Sequence, residues 1–585
     1  MFLIVLLGCS EKFEAISDSG IDWPDDDGDG YTADIDCDDA DPAIHPDAVE
    51  YCDGINNDCD AAVDETDAVD ATTWYMDSDG DGYGASEAWT LSCSRPPGFV
   101  ADGTDCDDDF ATSHPGAEEI CNDFTDNDCD GDSSDCVLSG TYSLEGVAAI
   151  IGAASADESG GVLAGGDFNG DGQDDLLIGA PAANTDDSDA GIVFVVYGPM
   201  SAGSLSDADA TLTGDSRSDS AGFALSSPGD IDGDGIDDLL IAAPGDDAAR
   251  IDAGSVYLLL GPATGSALLS EAADAVLYGE GTYDRAGESV AGLGDVTGDG
   301  APDLIIAATR YGDNDYTYQG AVYVVSAADA LSAGETDLST APARILGNSR
   351  YDRAGSALSG GDMDGDGVSD LLVGAYSAPE NDGLGQVAVF LGPVSGALSV
   401  ADADTLLTGL DDDDYAGYAL SVGDLDADGY ADLCIGAPFA DGDEEASGVA
   451  YVIRGAPGAA TLSAAHATLT GGHEDDEAGT AVSCDGDLNG DGHMDIFVGA
   501  PDETAAGNES GTSYLLYGPV TGSISLTTAD VILTGAESRQ RSGTALTASV
   551  DANGDGFSDA IVGAPEDNAG GTDAGAIYLV FGVGL

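Results

Sequence analysis

The chain has 585 residues, too many for one ordinary hydrophobic core, so its length predicts several domains or a closed array of repeats. Its 114 acidic and 12 basic residues give a net charge of −102, which excludes nucleic acid and anionic lipid as partners. Such a charge is accommodated either by bound divalent cations or by a solvated acidic surface, as in a saline habitat. Metal loops need acids at fixed spacing, whereas a solvated surface needs only density, so spacing distinguishes the two.

Residues 1–9 resemble a bacterial lipoprotein signal peptide. The apolar run from Phe2 to Leu7 leads to Gly8 and Cys9, where the cysteine of such a signal becomes lipid-modified after cleavage. No Lys or Arg precedes this short run, so a truncated ordinary secretion signal is the alternative. A spanning helix needs about 20 apolar residues, which excludes a transmembrane anchor here. We expect an exported protein, held at the outer membrane or cell surface by lipid on Cys9 or else secreted, with residues 10–24 as a linker.

Eight cysteines crowd into residues 37–136. An even number in so short an exported segment predicts a disulfide framework of up to four bridges, whose connectivity stays open. A zinc site is the weaker interpretation, because no Cys-x2-Cys pair occurs and the neighbouring residues are aspartates, which suit a hard ion. The disulfide candidates are Cys37, Cys52, Cys59, Cys93, Cys106, Cys121, Cys129 and Cys136.

Residues 25–136 contain two imperfect copies of one unit. Each copy runs Asp-x-Asp-Gly-Asp-Gly-Tyr, Asp-Cys-Asp-Asp, His-Pro and Asn-Asp-Cys-Asp, beginning at Asp25 and at Asp77. This order resembles the Cys- and Asp-rich metal-binding motif of MopE-like secreted bacterial proteins, over this segment only. Cys93 of the second copy has no counterpart in the first. His45 and His114 suggest either a transition-metal site or, as we favour for histidines that precede proline, a turn.

The opening loop of each copy has the pattern of a calcium site. Alternate carboxylates followed by glycine wrap one Ca²⁺ in oxygen ligands, as the first half of an EF-hand loop does. In the first copy the predicted ligands are Asp25, Asp27, Asp29, the Tyr31 carbonyl and, at the twelfth position, Asp36. The second copy offers Asp77, Asp79 and Asp81. Ala88 stands at its twelfth position, so its closing ligand must come from elsewhere, and we expect one or two calcium ions in this region.

A longer repeat occupies residues 145–585. Its core is Asp-x-Asp/Asn-x-Asp-Gly-x-x-Asp followed by an apolar run, with one threonine in the third copy. The seven copies begin at Asp167, Asp230, Asp295, Asp362, Asp424, Asp487 and Asp551, which are 63, 65, 67, 62, 63 and 64 residues apart. A merely solvated acidic surface would not produce this regularity.

Four short apolar runs bounded by Gly, Pro and Asp make up each repeat, and they predict four β-strands. In the second repeat they are residues 222–225, 239–242, 255–260 and 272–278. One small antiparallel sheet per repeat is typical of a propeller blade. The last repeat lacks a fourth strand, and we expect Ala148 to Gly152 to supply it and close the ring. The predicted fold is all-β, a seven-bladed β-propeller of four-stranded antiparallel blades preceded by a small disulfide-rich region with calcium loops.

The Gly-Ala-Pro triplets at 179–181, 436–438, 499–501 and 563–565 resemble FG-GAP repeats of the integrin α-subunit propeller, and the resemblance spans nearly all of 145–585. It implies that each loop binds Ca²⁺ through its first, third, fifth, seventh and ninth residues, the seventh by its carbonyl. Carried over, the ligands are Asp167, Asn169, Asp171, Gln173, Asp175; Asp230, Asp232, Asp234, Ile236, Asp238; Asp295, Thr297, Asp299, Ala301, Asp303; Asp362, Asp364, Asp366, Val368, Asp370; Asp424, Asp426, Asp428, Tyr430, Asp432; Asp487, Asn489, Asp491, His493, Asp495; and Asp551, Asn553, Asp555, Phe557, Asp559.

Up to seven calcium ions are thus expected in the propeller. Thr297 makes the third site the weakest, because a hydroxyl is a poorer ligand than a carboxylate. An Asp-Gly hairpin turn without metal is the alternative, but turns do not need an acid at every alternate position. Seven divalent ions offset 14 of the 102 excess negative charges, so a solvated acidic shell must accompany them.

No catalytic motif accompanies the loops: Gly-x-Ser-x-Gly, His-Glu-x-x-His and a phosphate loop are all missing from the sequence. We therefore expect no enzyme. The resemblance favours a surface or extracellular adhesion module that binds a protein or glycan, with a structural spacer, or a polysaccharide-active hydrolase or lyase, as alternatives. The pairs Arg350 with Arg353 and Arg539 with Arg541 mark either a ligand face or local charge neutralisation. Cys434 and Cys484, in adjacent blades, either pair or are buried separately, and the sequence does not decide.

Overall fold

The structure, a computed structural model, describes residues 23–60, 62–108, 110–117, 127–129, 138–184, 189–312, 318–379, 383–455, 461–504 and 507–582. The chain divides into an N-terminal unit, Met1–Ser133, and a propeller unit, Ser134–Leu585. The predicted signal peptide with Cys9, most of the predicted linker, and Cys121 and Cys136 lie outside the described residues.

The propeller unit contains seven sheets, one for each repeat. The first strands are Val162–Gly166, Leu225–Ser226, Ser289–Leu293, Leu358–Gly361, Ala419–Gly423, Ala481–Gly486 and Ala545–Val550. The second strands are Asp175–Ala180, Leu239–Ala243, Asp303–Ala308, Asp370–Ala375, Asp432–Ala437, Asp495–Ala500 and Asp559–Ala564. The third strands are Ile192–Val196, Ser255–Leu259, Ala321–Ser326, Gln386–Phe390, Val449–Ile453, Thr512–Leu516 and Ala576–Val580. The fourth strands are Ala210–Thr213, Ala275–Tyr278, Ala343–Leu346, Thr405–Thr408, Ala467–Thr470, Val531–Thr534 and Ala148–Ile151.

Each second strand is buried along its whole length, because a blade packs against a neighbour on both of its faces. This is why these strands read as continuous apolar runs and not as alternating ones. The hydrophobic core lies between the blades: Leu177 and Ile241 share a cluster between blades 1 and 2, and Ile178 and Ile561 share one between blades 1 and 7. The first strands contact one another in order around the ring, and the seventh contacts the first.

Ring closure agrees with the prediction. Ala148–Ile151 pairs antiparallel with the third strand of blade 7, with Ala148 opposite Leu579 and Ile151 opposite Ala576. Seven blades are thereby complete, and the all-β propeller prediction is confirmed. Closure removes the open edges that a linear array of sheets would leave.

A fifth strand, which the sequence did not predict, lies outside the fourth strand of most blades. It runs parallel to the fourth strand and, in blades 1, 2, 3 and 5, comes from the next blade's connection between third and fourth strands. For blades 1, 2, 3, 5, 6 and 7 these strands are Gly265–Leu268, Glu335–Asp337, Gly396–Ser399, Gly522–Ser525, Gly140–Ser143 and Gly203–Ser204. They are short and half-exposed, and all but Glu335–Asp337 begin with glycine, so no hydrophobic period marks them.

Short helices occupy the same connections. The α-helices are Leu269–Ala272 and Ala327–Ala333, and the 3₁₀ helices are Leu205–Asp207, Leu338–Thr340, Val400–Asp402, Leu462–Ala464 and Leu526–Thr528. All but Ala327–Ala333 begin with a buried Leu or Val, which anchors the connection to the blade. No helix among the described residues is both long and apolar enough to span a bilayer.

Among its described residues, the N-terminal unit has one small sheet, in which Thr72–Met76 lies between Ala85–Ser92 and Phe99–Val100. Three disulfides between described cysteines hold its loops: Cys37–Cys59, Cys52–Cys93 and Cys106–Cys129. Cys93, which had no counterpart in the first copy, pairs with Cys52 of that copy. In the propeller, Cys434 and Cys484 are buried and not joined by a disulfide.

Candidate metal centres

The seven acidic loops connect the first and second strands of each blade, and their first aspartate shapes the backbone. In the second loop Asp230 Oδ1 accepts the N–H groups of Gly233 at 2.7 Å and Asp234 at 3.1 Å, and Oδ2 accepts that of Gly235 at 2.9 Å. In all seven loops the N–H of the fifth residue donates to the carboxylate of the first aspartate at 2.9–3.2 Å. The N–H of the sixth residue donates to the same carboxylate at 2.8–2.9 Å. The repeated sequence therefore produces one repeated geometry.

Glycine stands at the sixth position of every loop, and at the fourth position of all but the fifth loop, because the chain turns there with positive φ; in the fifth loop Ala427 adopts φ 55°. Gly233 has φ 81° and Gly235 has φ 90°. The turn brings the alternate side chains to one side, and the fifth residue then accepts the N–H of the seventh at 2.8–3.0 Å in every loop. Such a loop gathers carboxylate oxygens in the way that calcium loops do.

The ninth aspartate is the buried anchor of each loop, with at most 1% of its surface exposed. In the sixth loop Asp495 accepts N–H groups from Leu488 and Gly518, both at 2.8 Å. Burial raises the pKa of Asp495 to about 7. The hydrogen bonds from these N–H groups oppose the shift, and the charges of Asp487 and Asp491 add to it. Burial likewise raises the pKa of Asp175 to about 7 and that of Asp559 to about 8. Carboxylates so crowded are stabilised in their charged form by a bound cation.

Unpartnered oxygens test whether these residues fit a metal. Asp175 Oδ2 and Asp426 Oδ1 are buried and accept no hydrogen bond among the described residues. The donors are carboxylate, amide and backbone oxygens, which suit a hard divalent cation and not a thiolate-seeking metal. The fifth loop differs in having a protein cation nearby, because Arg454 lies 3.0 Å from Asp426 Oδ2. Apart from Arg454 beside the fifth loop, the groups gathered by the loops are oxygen atoms that can bind a cation.

The third loop has a threonine at its third position, where the other loops have aspartate or asparagine. The Thr297 N–H donates to Asp303 Oδ2 at 2.7 Å, and the Thr297 hydroxyl lies 3.4 Å from Asp303 Oδ1. The hydroxyl thus faces the ninth aspartate, where other loops place a carboxylate or an amide. That this site binds calcium most weakly stays a prediction.

In the N-terminal unit, the first predicted loop also gathers its acids. Carboxylate oxygens of Asp27, Asp29 and Asp36 lie within 4.8 Å of one another, and those of Asp25, Asp27 and Asp39 form an overlapping group. The Oδ2 atoms of Asp27, Asp29 and Asp36 are buried without a hydrogen-bond partner. The structure adds Asp39, which also accepts the Asp26 N–H at 3.1 Å.

The second loop receives its missing acid from Asp105. This residue is 8% exposed, and its Oδ2 has no hydrogen-bond partner, like Oδ2 of Asp79 and Asp81. Burial, together with the charges of Asp81, Asp79 and Asp108, raises the pKa of Asp105, although an N–H from Asp107 opposes the shift. The signal for Asp105 was present in the sequence, because Asp105-Cys106 repeats Asp36-Cys37.

His45 and His114 stack on the tyrosines that end these loops. The ring centroids of Tyr31 and His45 are 4.8 Å apart, and those of Tyr83 and His114 are 5.1 Å apart. The His45 carbonyl accepts the N–H groups of Asp47 and Ala48, which places this histidine at a turn. The geometry agrees with a structural role for the two histidines.

Comparison with protein-family models finds both kinds of repeat. The FG-GAP repeat model matches residues 159–196, 222–259, 286–325, 354–390, 416–453, 478–516 and 542–580. The Cu-binding MopE model, described as a "Putative metal-binding motif", matches residues 36–65 and 105–135. Each FG-GAP match covers the first three strands of one blade and its acidic loop.

Similar curated proteins include an enzyme and integrins. Phosphatidylinositol-glycan-specific phospholipase D of Bos taurus is 34% identical over 210 residues, covering 34% of this chain and 24% of that protein. Integrin alpha-PS2 of Drosophila melanogaster is 32% identical over 225 residues, covering 37% and 15%. Integrin alpha-IIb of Mus musculus is 36% identical over 168 residues, covering 28% and 16%. The chain thus spans at most about a quarter of the length of these relatives. The chain thus carries seven FG-GAP repeats, one in each blade of the propeller, and two MopE-like metal-binding motifs ahead of them.

Proposed function

We propose that this protein is an exported, calcium-stabilised adhesion module whose propeller binds a protein or glycan through one face of loops. Calcium is supported by the all-oxygen loops, up to seven in the propeller and one or two in the opening loops of the N-terminal unit. Export is supported by the three disulfides, which persist in oxidising compartments. Attachment through lipid on Cys9, at an outer membrane or cell surface, belongs to the same proposal, and secretion is the alternative.

The observation that carries the binding proposal is a group of aromatic rings and one arginine, the Tyr–Arg patch: Tyr318, Tyr351, Arg353, Tyr376, Tyr415, Tyr418 and Phe439. These residues lie in connections from second to third strands, or from a fourth strand to the next blade. Because successive strands are antiparallel, both kinds of connection emerge at the end of the blades opposite the metal loops. The patch therefore lies on the propeller face that the predicted ions leave free.

Contacts within the patch are continuous across blades 3, 4 and 5. Arg353 lies 5.7 Å from the ring centres of both Tyr318 and Tyr376, and its guanidinium donates to the Tyr376 hydroxyl at 2.8 Å. The Tyr376 ring lies 5.4 Å from those of Tyr415 and Tyr418. Tyr418 is 39% exposed, so the group reaches solvent. Rigid amphipathic rings beside a guanidinium are suited to stacking on sugars and to anchoring protein side chains.

Arginines concentrate on the same face. Of the ten after residue 145, eight lie in these connections: Arg217, Arg250, Arg285, Arg310, Arg350, Arg353, Arg539 and Arg541. In a chain of net charge −102 they lower the local negative potential, which favours approach of an acidic or neutral ligand. Several also pair with acids, as Arg541 does with Asp502 at 2.6 Å, so charge neutralisation accompanies the binding role.

No catalytic activity belongs to the proposal. The name of the bovine relative states a phospholipase activity, but the matched segment is 24% of that protein, and its activity is not transferred. A purely structural spacer is the remaining alternative, and it predicts that the Tyr–Arg patch binds nothing.

The test applies the full chain to glycan and protein arrays in calcium and in chelator. Arg353→Ala and Tyr376→Ala should lower binding to the array hit at least about tenfold, the loss typical of a central contact residue. Tyr283→Ala is the matched control, since Tyr283 is 46% exposed on the same face but lies outside the patch. Unchanged melting curves show that the variants fold. Binding to no probe, or equal binding by all three variants, would contradict the proposal.

A further inference from the structure

Two buried carboxylates and one exposed histidine lie together at the junction of blades 5 and 6, outside the seven acidic loops. His473 and Asp476 lie in the connection from the fourth strand of blade 5 to the first strand of blade 6, and Glu503 follows the second strand of blade 6. Asp476 is 1% exposed and Glu503 is 2% exposed, whereas the His473 side chain is 61% exposed. Because strands alternate in direction, this group, the His473 cluster, lies on the propeller face opposite the acidic loops.

The three side chains direct one ligand atom each toward a common point. His473 Nδ1 is 3.2 Å from Asp476 Oδ2 and 3.6 Å from Glu503 Oε1. One ligand atom of each residue lies within 4.8 Å of those of the other two. In a tetrahedral zinc site, bonds of about 2.0 Å place neighbouring ligand atoms about 3.3 Å apart. The two distances from Nδ1 therefore agree with the spacing of ligands around one zinc ion.

Hydrogen bonds hold both carboxylates in these positions. Asp476 Oδ2 accepts the His473 main-chain N–H at 2.7 Å, which fixes the aspartate to the segment that carries the imidazole. Glu503 Oε2 accepts the Thr512 hydroxyl at 2.8 Å, while Oε1 is the oxygen close to His473. Metal ligands are commonly oriented by neighbouring groups in this way. Thr512 is therefore a positioning residue for Glu503.

The fold itself does not require this combination of side chains. In four other connections between blades, a residue at the position of His473 also donates its N–H to a buried side chain three residues later, but none of these residues is a histidine: Ser216, Ser349, Asp411 and Glu537. Blade 7 relieves the buried Asp567 with an amide, because Gln540 Nε2 donates to Asp567 Oδ2 at 2.6 Å. Blade 6 instead sets two acids against one imidazole.

We propose that His473, Asp476 and Glu503 bind a zinc ion, with water at the remaining position. An imidazole nitrogen with two carboxylate oxygens suits zinc, whereas calcium prefers oxygen ligands alone. Two carboxylates withdrawn from water beside each other are costly, and a divalent ion between them offsets that cost. Three protein ligands leave one tetrahedral position open, and the exposure of His473 places it beside solvent, where the ion can exchange and accept a further oxygen ligand.

The test measures modification of His473 by diethyl pyrocarbonate on the full chain in saturating calcium, with peptide mass mapping to separate the histidines. Zinc on Nδ1 leaves the proton on Nε2, so neither nitrogen keeps a free lone pair for the reagent. At free zinc ten times the Kd about nine-tenths of the sites are occupied, so modification should slow about tenfold. His466, exposed in blade 5 with its Nδ1 accepting the Arg454 N–H, is the internal reference and should react at a constant rate. Equal rates at His473 with and without zinc would mean that a protonated imidazole alone balances the two acids, and would overturn the proposal.

Variants identify the ligands, and the wild-type comparison does not depend on their folding. Glu503→Gln keeps an acceptor for Thr512 but removes a charged ligand, so zinc should no longer protect His473. Thr512→Val should keep the protection but need about tenfold more zinc. Glu474→Gln, which changes an exposed acid next to His473, is the matched control and should behave as the wild type. Native mass spectrometry should find one zinc ion fewer on His473→Ala than on the wild type. Wild-type protection in Glu503→Gln, or an equal zinc count on His473→Ala, would refute the three-ligand site.

Discussion

Replacing Asp219 with asparagine should make the propeller more stable, and by a larger amount at pH 8 than at pH 5. Asp219 lies in the connection between blades 1 and 2 and is 1% exposed. Its Oδ2 accepts the Ser216 N–H at 2.6 Å, whereas its Oδ1 is buried without a hydrogen-bond partner. Blade 7 has an amide at the corresponding place: Gln540 accepts the Glu537 N–H at 3.1 Å and donates to Asp567 Oδ2 at 2.6 Å.

The magnitude follows from the titration of Asp219. Burial raises the pKa of Asp219 from 3.8 to about 7. The charges of Asp246 and Asp215 add to this shift, and the hydrogen bond from the Ser216 N–H opposes it. A pKa shift of roughly 3 units corresponds to a loss of about 4 kcal/mol in the free energy of unfolding at high pH. Partial solvation of the surroundings reduces this loss to about 2 kcal/mol. A raised carboxyl pKa means that the folded state binds more protons than the unfolded state between about pH 4 and pH 7. Stability therefore falls as pH rises through that window.

Asparagine keeps the acceptor for Ser216 and has no charge to lose. Urea unfolding in saturating calcium should thus show Asp219→Asn more stable than the wild type by about 2 kcal/mol at pH 8, and by only about 0.8 kcal/mol at pH 5, where the titration window has just begun. Asp207→Asn, at an exposed aspartate, is the control and should show no pH-dependent difference. If Asp219→Asn were destabilised equally at both pH values, the carboxylate would be charged and satisfied in the folded state, and the reasoning would fail.

Three further outcomes are expected. Chelation should lower the melting temperature of the full chain and calcium should restore it, since a ligand at 100 times its Kd stabilises by about 2.7 kcal/mol per site; melting that ignores chelator would sink the calcium assignment. Thr297→Asp should tighten the weakest propeller site about tenfold in calorimetric calcium titration, because it adds a carboxylate at the third position; unchanged titration would mean that the hydroxyl is no handicap. A chain that starts at residue 138 should elute from size exclusion as a monomer. A chain that starts at residue 153 lacks the strands Gly140–Ser143 and Ala148–Ile151 and should aggregate. Identical elution of the two chains would show that these strands do not close the ring.

The repeat spacing was enough to predict the ring, because a period near 64 residues with four apolar runs has few other solutions. Closure by Ala148–Ile151 was predictable for the same reason, since one strand was missing at the end and one was spare at the start. The fifth strands were not predictable. Gly396–Ser399 packs only Leu398 against the core, and its first two residues are exposed, so the sequence carries too little hydrophobic signal to predict it.

The loops could be found because their acids are close in sequence, whereas partners distant in sequence could not. Asp105 lies 24 residues after Asp81, and only the repeated Asp-Cys dipeptide links it to the loop. Disulfide pairing is likewise a property of the folded chain, and Cys93 pairs back into the first copy instead of within its own.

Several pairs of neighbouring metal loops are joined directly to each other, which gives the predicted ions a collective role at those junctions. The Asp237 N–H of loop 2 donates to the Asp167 carbonyl of loop 1 at 2.9 Å, and the Asp167 N–H donates to Asp237 Oδ2 at 3.0 Å. Similarly, the eighth residues of loops 4 and 5, Ser369 and Ala431, donate to the first residues of loops 3 and 4 at 2.9 and 3.0 Å. An ion that orders one loop therefore also fixes the main chain of the next.

The third repeat lacks this contact with the second loop. Its eighth residue is Pro302, which has no N–H to donate to the carbonyl of Asp230. The same loop carries Thr297 where the other loops have aspartate or asparagine, so two departures from the repeat coincide at one junction. A loop with a hydroxyl at this position gains less from an ion than one with a carboxylate. Without the backbone bond it also receives less order from its neighbour. Both effects act in the same direction, so loss of calcium should begin at the third loop and loosen the ring first between blades 2 and 3.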